Sequence, residues 1–244
     1  MTPTPVGMRC PECSRQRTRV KTNATLARTE TPVVTYIIMG ICVALQLGQM
    51  ASGAGATGGL GASTLFQKYS LYGPSVANGE VYRLLTSGFL HASLFHLFVN
   101  MYSLWILGTL LEPAIRRVQY LLIYFVSLLA GSFGALIVTP NAPTVGASGA
   151  IFGLMGAGVI VLRHRGISPM QSGLPIWIGI NLVFSFAVPG ISVGGHIGGL
   201  IGGALAALIL FDVPARLRDL PSAIPPVLAG ALGAAAVAGS LAVV

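Results

Sequence analysis

Long apolar runs alternate with short polar segments along most of this chain. Seven runs have the composition of helical membrane spans, and they lie at about residues 33–52, 94–111, 118–138, 148–162, 175–189, 194–211 and 222–244. Two of them are short for the roughly 20 residues that a span requires. The runs show no alternating strand pattern, which a closed barrel in lipid would need. The pattern therefore predicts an all-α, polytopic membrane helical bundle, with a six-helix core and an appended seventh, C-terminal span.

The composition agrees with a membrane protein, because 54% of the 244 residues are hydrophobic, 8% are charged and the mean hydropathy is +0.80. The first 30 residues are basic, rich in Thr and without an apolar run. We therefore expect the first span, rather than a cleavable signal peptide, to direct insertion. The predicted segments are a cytosolic basic tail at 1–32, a membrane domain at 33–212, and a cytosolic linker with a further transmembrane helix at 213–244.

The placement of the basic residues predicts the orientation in the membrane. Lys68 and Arg83 lie on one side of the spans, and the other twelve basic residues lie on the opposite side: Arg9, Arg15, Arg17, Arg19, Lys21, Arg28, Arg116, Arg117, Arg163, Arg165, Arg216 and Arg218. Positive charge marks the cytoplasmic face. We expect a multi-pass protein of the cell membrane with a cytoplasmic N-terminus and an outside C-terminus. The net charge of +8 thus reflects topology and a lipid bilayer partner, and no nucleic acid partner is expected.

Polar side chains at similar depth in three spans are the candidate site. Counted from the charged residues at the cytosolic ends, His96, Ser148 and His196 each lie about 21–22 Å along their helices. In a hydrocarbon core of about 30 Å, that level is about 8 Å below the outer surface. Asn100 lies one turn deeper on the His96 face. Ionisable groups at such depth are costly to bury, which indicates a functional site.

The residue types assign chemical roles. A serine hydroxyl needs an adjacent base, and His196 is the candidate base for Ser148. No Asp or Glu lies in the outer half of any predicted span, so a Ser–His dyad is predicted unless another group takes the third role. His96, Asn100 and the backbone N–H of Ser148 are the available donors for a developing oxyanion.

Each of these residues also has a structural reading when it is taken alone. A serine in a membrane helix usually bonds to its own helix, a histidine can relay protons or bind metal, and an asparagine can join two helices. His91 and His96 are not spaced as in an H-E-x-x-H metal site, which disfavours a metalloprotease. Gly149 with Gly153, and Gly195 with Gly199, are spaced for close helix contact. That contact would also bring Ser148 near His196.

At this point the sequence resembles the rhomboid family of intramembrane serine proteases over about residues 33–212. The motifs that carry the resemblance are GxSG at 146–149, GHxxGxxxG at 195–203, HxxxN at 96–100, and Glu80-Val81-Tyr82-Arg83 with Thr86 and His91 in the first outer loop. HxxxN, GxSG and GHxxGxxxG stand in the order of the family, on spans two, four and six respectively. The resemblance implies a six-helix rhomboid core.

The resemblance also implies roles for individual residues. Ser148 would be the nucleophile and His196 the base. The oxyanion hole would comprise His96, Asn100 and the Ser148 amide, with Gly146 shaping the loop. Phe152 fits the family's aromatic residue that stacks on the histidine; Gly149, Gly195, Gly199, Arg83 and His91 would be supporting residues. The family cleaves transmembrane segments of other membrane proteins near the outer face, favours small residues before the cut, and needs no metal or nucleotide.

Two features depart from the family pattern. Tyr82-Arg83 stands where Trp-Arg is frequent, which is expected to affect mainly loop packing. Cys10 and Cys13 resemble half of a zinc-binding element that precedes some actinobacterial rhomboids. Structural zinc requires four ligands, so two cysteines do not make a site within one tail.

Other functions remain open from the sequence. A rhomboid-like pseudoprotease would bind membrane clients without cleaving them, and loss of Ser148 or His196 would favour it. A transporter would show charged coordinating residues within the spans and an internal repeat, neither of which is visible. The two aspartates of an intramembrane aspartyl protease are missing. The substrate, the process served and the oligomeric state are not predicted.

Overall fold

The computed structural model describes residues 2–4, 7–9, 31–54, 63–217 and 219–244. It divides into two units, Met1–Glu30 and Thr31–Val244. In the first unit, β1 (Thr2–Thr4) pairs antiparallel with β2 (Gly7–Arg9), for which the sequence predicted no element. Cys10 and Cys13 lie outside the described residues. The segment boundaries at 32 and 212 stay predictions.

The second unit is a helical bundle. In chain order its helices are α1 (Val33–Gln49), α2 (Thr64–Tyr69), α3 (Gly73–Ala77), α4 (Arg83–Thr86), α5 (Leu94–Leu111), α6 (Arg117–Val138), α7 (Ser148–His164), α8 (Leu174–Ala187), α9 (Val193–Ala207), α10 (Val213–Arg216) and α11 (Ile224–Ala242). A π-helical turn follows α1 at Met50–Ala54, and another joins α9 to α10 at Leu208–Asp212. Short 3₁₀ turns occupy Ser87–Phe89 and Glu112–Ala114.

The bundle confirms the predicted polytopic helical fold. Five helical segments of the described chain are long and apolar enough to cross a membrane: Val33–Gly53, Leu94–Ala114, Arg117–Val138, Val193–Arg216 and Ile224–Ala242. The two remaining predicted runs form the shorter apolar helices α7 and α8. All seven runs are therefore helical, and the two that are short in sequence are also short in the structure. The protein is a multi-pass membrane protein.

Helix α9 packs closely against both α6 and α7. A Cβ atom added to Gly199 would lie 2.0 Å from the carbonyl oxygen of Gly149 on α7. A Cβ atom added to Gly194 would lie 2.2 Å from the carbonyl oxygen of Gly134 on α6. Backbones that approach this closely accept no side chain at the contact. The row facing α7 is the one predicted from the sequence, whereas the row that includes Gly194 and faces α6 was not predicted.

We expect Gly199→Ala to destabilise the bundle by roughly 1–3 kcal/mol, because the added methyl group overlaps backbone atoms of α7 that cannot rotate away. Gly179→Ala in α8 is the matched control, since an added Cβ there meets no atom within 4 Å. Unfolding of both variants in detergent, followed by a spectroscopic probe, measures the difference. Equal stability of the two variants would contradict the close packing of α7 and α9.

A buried carboxylate joins the start of α1 to the end of α5. Glu112 accepts hydrogen bonds from the backbone N–H groups of Val34 and Thr35, each at 2.9 Å, and from the Thr35 hydroxyl at 2.8 Å. Pro32 supplies no side-chain cap, so Glu112 satisfies N–H groups of α1 that would otherwise lack a partner. A negative charge at a helix N-terminus is also favourable. The contact fixes the N-terminal end of α1 against the end of α5.

The segment between α1 and α5, which the structure describes again from residue 63 onward, contains three short helices. It holds α2, α3 and α4 around buried Arg83, whose guanidinium donates to the carbonyl oxygens of Gln67 and Ser70 at 2.9 and 2.8 Å. Arg83 also donates to Glu80 at 2.6 Å, and Tyr82 donates to the same carboxylate oxygen. These hydrogen bonds, that of Arg83 first, lower the pKa of Glu80. Arg83 therefore ties this segment together.

Candidate active site

Ser148 and His196 meet at the beginnings of two neighbouring helices. Ser148 is the first residue of α7, and His196 lies in the first turn of α9. The Ser148 Oγ and His196 Nε2 atoms are 2.7 Å apart. The imidazole is buried, whereas Ser148 is half-buried. At this distance the imidazole can accept the hydroxyl proton directly.

The His196 ring is held on its other nitrogen and on its face. The Ser185 Oγ atom on α8 lies 2.6 Å from His196 Nδ1. Phe152, one turn into α7, stacks on the imidazole with ring centroids 4.1 Å apart and planes 17° from parallel. The stacking position of Phe152 is the one that the sequence resemblance implied. Ser185 was missed, although it is a polar residue one turn from Asn181 on an otherwise apolar helix.

His96 presents one ring nitrogen towards the serine. Its Nδ1 atom accepts a hydrogen bond from the backbone N–H of Ala92 at 3.3 Å, which leaves the proton on Nε2. Gly146 lies close to both that nitrogen and the serine. A Cβ atom added to Gly146 would lie 3.0 Å from His96 Nε2 and 3.6 Å from Ser148 Oγ. Gly146 has φ of +130°, which favours glycine. Its N–H donates to the carbonyl oxygen of Ser87 at 3.0 Å.

Two further donor groups belong to the same region. Asn100 is buried one turn below His96 and donates from Nδ2 to the His96 carbonyl oxygen at 2.9 Å. One N–H of this amide remains for another acceptor. Ser148 is the first residue of its helix, and Ala147 before it supplies no side-chain cap. The first N–H groups of a helix have no intrahelical acceptor and carry partial positive charge.

Serine caps fix the starts of the two helices that carry His96 and His196. Ser93 accepts the backbone N–H of His96 at 3.1 Å, and Ser192 accepts that of Gly195 at 3.2 Å. Neither cap was singled out from the sequence, although a Ser directly before an apolar helical run is a known N-cap signal. The caps set the first turns in which the two histidines lie.

The chain that approaches Ser148 is anchored to the segment between α1 and α5. Leu71 and Thr144 exchange backbone hydrogen bonds at 3.0 and 2.9 Å, and Gly73 donates to Pro140 at 2.8 Å. A cavity of about 30 Å³ lies beside the pair and is lined by Ser148, His196, other residues of α6, α7 and α9, and loop residues that include Leu71 and Thr144. That volume holds about one water molecule. The approach to Ser148 is therefore extended and braced, and the site includes a small space.

The supporting residues named from the sequence lie in different places. Gly149 and Gly195 face each other, since a Cβ on Gly149 would lie 3.3 Å from the Gly195 carbonyl oxygen, and Gly199 lies one turn deeper on the same contact. The ring of His91 lies edge-on to His96 with centroids 5.2 Å apart. Burial, with a smaller effect of His96, lowers the pKa of His91 to about 3, so its ring is neutral. Arg83 bonds within the segment between α1 and α5 instead of at the serine–histidine pair.

The potential metal ligands of the described residues do not cluster. Within those ranges no group of three or more His, Cys, Asp or Glu side chains is placed to hold a metal ion.

Known proteins resemble the chain over most of its length. Residues 78–213 match the rhomboid domain. Rhomboid protease GluP of Bacillus subtilis is 35% identical over 199 residues, which cover 80% of this chain and 38% of that protein. Putative rhomboid protease YdcA of the same species is 34% identical over 142 residues, or 57% of this chain and 71% of that protein. Inactive RHOMBOID-like protein 8 of Arabidopsis thaliana is 33% identical over 150 residues, which cover 59% of this chain and 42% of that protein.

The extent of these matches decides what they establish. The chain spans about two fifths of the length of GluP and of RHOMBOID-like protein 8. The names of the relatives include both proteases and an inactive protein, so likeness alone does not assign an activity. The matched residues 78–213 contain α4 to α9 and with them both Ser148 and His196. This chain belongs to the rhomboid family.

Proposed function

We propose that this protein is an intramembrane serine endopeptidase that cleaves transmembrane segments of other membrane proteins. The observation that carries the proposal is the 2.7 Å contact between Ser148 Oγ and His196 Nε2 at the start of a membrane helix. A base within hydrogen-bond reach of a serine hydroxyl is the arrangement that activates a serine nucleophile.

The chemistry proceeds by acyl transfer. His196 Nε2 takes the hydroxyl proton as Ser148 Oγ attacks the carbonyl carbon of the scissile peptide. The proton then passes from His196 to the leaving amine, and an ester forms on Ser148. Water attacks this ester with His196 again as base, which releases the new carboxyl terminus and restores the serine. No metal or cofactor is required in this sequence of steps.

The negative charge of the tetrahedral intermediate is stabilised by fixed donors. His96 Nε2–H lies beside Gly146 and near Ser148 Oγ, and the Ser148 N–H stands at the positive end of α7. Asn100 Nδ2 supplies a further N–H. Because these groups belong to helix starts and a braced loop, they require little reorganisation when the charge develops.

The position of the site suggests where the substrate is cut. The cytoplasmic face is assigned by the basic residues at the far ends of α5, α7 and α9, so the site lies in the outer part of the bundle. Cleavage near the outer membrane face follows, in a cell membrane protein with a cytoplasmic N-terminus and an outside C-terminus. The small cavity beside Ser148 suits small substrate side chains.

The alternative function is that of a pseudoprotease that binds membrane clients. RHOMBOID-like protein 8 is described as inactive, which shows that relatives of this chain include such proteins. The serine–histidine contact of this chain is the observation that favours the protease.

The test uses the purified full chain in detergent and in liposomes. A serine-reactive fluorophosphonate probe and a fluorescent transmembrane reporter are applied to wild type, His196→Ala and Ser240→Ala. We expect labelling and cleavage in wild type and in Ser240→Ala, whose serine is buried in α11 and bonds to the Ala236 carbonyl oxygen. We expect neither in His196→Ala. Folded wild-type protein that neither labels nor cleaves would contradict the protease proposal and favour the pseudoprotease alternative.

A further inference from the structure

Ser185 is a buried polar residue on an exposed helix. Within α8, all of which the structure describes, Leu174 and Ser185 are the buried residues. Ser185 is 2% exposed, and the neighbouring Phe184 and Phe186 are 56% and 69% exposed. Ser185 therefore marks the point in the outer half of α8 where this helix faces the bundle. Its hydroxyl meets the Nδ1 atom of His196 there at 2.6 Å.

The hydrogen bonds of Ser185 have one consistent direction. Its Oγ atom donates to the Asn181 carbonyl oxygen at 2.7 Å, and a carbonyl oxygen can only accept. A hydroxyl has a single hydrogen atom, so towards His196 the oxygen of Ser185 must accept. His196 then carries its proton on Nδ1, and its Nε2 atom bears the free lone pair. That lone pair faces the Ser148 hydroxyl at 2.7 Å.

We propose that Ser185 is a positioning residue for the catalytic base, which holds His196 in the Nδ1–H tautomer and thereby completes a Ser148–His196–Ser185 chain. This inference rests on the proposed protease function. The sequence left the third role open because no carboxylate lies in the outer half of the spans. A neutral hydroxyl whose own proton is engaged by a helix carbonyl fills that role.

The proposed role does not change during the reaction. His196 donates its Nδ1 proton to Ser185 both when neutral and when it holds the proton taken from Ser148. The ring is then fixed at three points, by Ser148 on Nε2, by Ser185 on Nδ1 and by Phe152 on its face. Without the acceptor at Nδ1, the ring is free to carry its proton on Nε2, where it cannot act as a base.

Kinetics on the membrane reporter tests the proposal. For Ser185→Ala we expect kcat to fall by roughly tenfold to a hundredfold, because a buried N–H of His196 loses its acceptor, while KM stays unchanged. Ser185→Thr keeps the hydroxyl and is expected to restore most of kcat. Ser240→Ala is the matched control, because Ser240 makes the same bond to the carbonyl four residues earlier, at 2.8 Å, in a buried position of a membrane helix.

Nitrogen NMR of the full chain labelled with ¹⁵N-histidine supplies a reading that does not depend on activity. The four histidines give few signals, and those of His196 are assigned by their loss in His196→Ala. We expect the Nδ1–H tautomer in wild type, in Ser240→Ala and in Ser185→Thr, and a shift towards Nε2–H in Ser185→Ala.

The outcomes separate the inference from the function on which it rests. If wild type does not cleave but its His196 tautomer still depends on Ser185, the protease function is contradicted and the Ser185–His196 contact is retained. An unchanged tautomer in Ser185→Ala, or a kcat loss that Ser185→Thr does not restore, overturns the positioning role. A kcat loss accompanied by a matching rise in KM overturns it as well.

Discussion

Ser148→Ala lowers proteolysis by roughly 10⁴-fold or more, as expected for removal of a serine nucleophile. The variant keeps every other group of the site, including His196 and the donors around Gly146. Without the Oγ atom no ester can form on the protein, and the remaining groups bind the peptide without cutting it. Cleavage of the transmembrane reporter, followed over days to reach the residual rate, measures the loss.

The fold of Ser148→Ala is expected to be intact. Ser148 is half-buried at the first position of α7 and makes no side-chain capping bond, so the loss of one oxygen leaves no large cavity. Thermal unfolding should therefore match that of wild type and of Ser240→Ala. Cleavage that persists in a correctly folded Ser148→Ala sample would eliminate the serine mechanism.

His96→Ala lowers kcat by roughly 10²–10³-fold if the imidazole donates to the oxyanion. The ring nitrogen that would donate lies beside Gly146, and alanine leaves that space empty. The ground-state substrate has little charge on its carbonyl oxygen, so KM should change much less than kcat. Initial rates over a range of reporter concentrations in liposomes separate the two quantities.

His164→Ala is the matched control for this prediction. His164 ends α7 at the opposite side of the bundle, where it lies 3.9 Å from Asp212 and its side chain is 42% exposed. The His164→Ala variant loses the same ring without changing the site, so its kcat should equal that of wild type. An unchanged kcat in His96→Ala would exclude the oxyanion role of that residue.

The bundle could be predicted from the sequence because its signals are local. Apolar runs predict the helices, and the charges that flank the runs predict on which side of the membrane each helix end lies. Neither prediction requires knowing which helices are in contact. The meeting of Ser148 and His196 was predictable for a related reason. Both residues follow small residues on helices with matching glycine spacing, and their distances from the charged residues at the far ends of their helices are similar.

The missing parts of the prediction depend on contacts between distant segments. Ser185 is a polar residue on a mostly apolar helix, and nothing in the neighbouring sequence shows that it faces His196. The second glycine row of α9, with Gly194 and Gly198, faces α6, which a single helix cannot reveal. Likewise Gln49 bonds both ways to the backbone of His91, 42 residues away. Sequence spacing gives the face of a helix but not its neighbour.

The two glycine rows of α9 have a consequence for how the base is aimed. Because they lie on adjoining faces against α6 and α7, rotation of α9 by one residue, about 100°, would bring Ile197, Ile201 or Leu205 against a neighbouring backbone. These side chains now point outward and are 37%, 53% and 42% exposed. The helix therefore has a single allowed rotational setting. The glycine positions of α9, which have no side chain, therefore determine the direction of the His196 imidazole. Residues at the lipid-facing positions can vary without changing that direction.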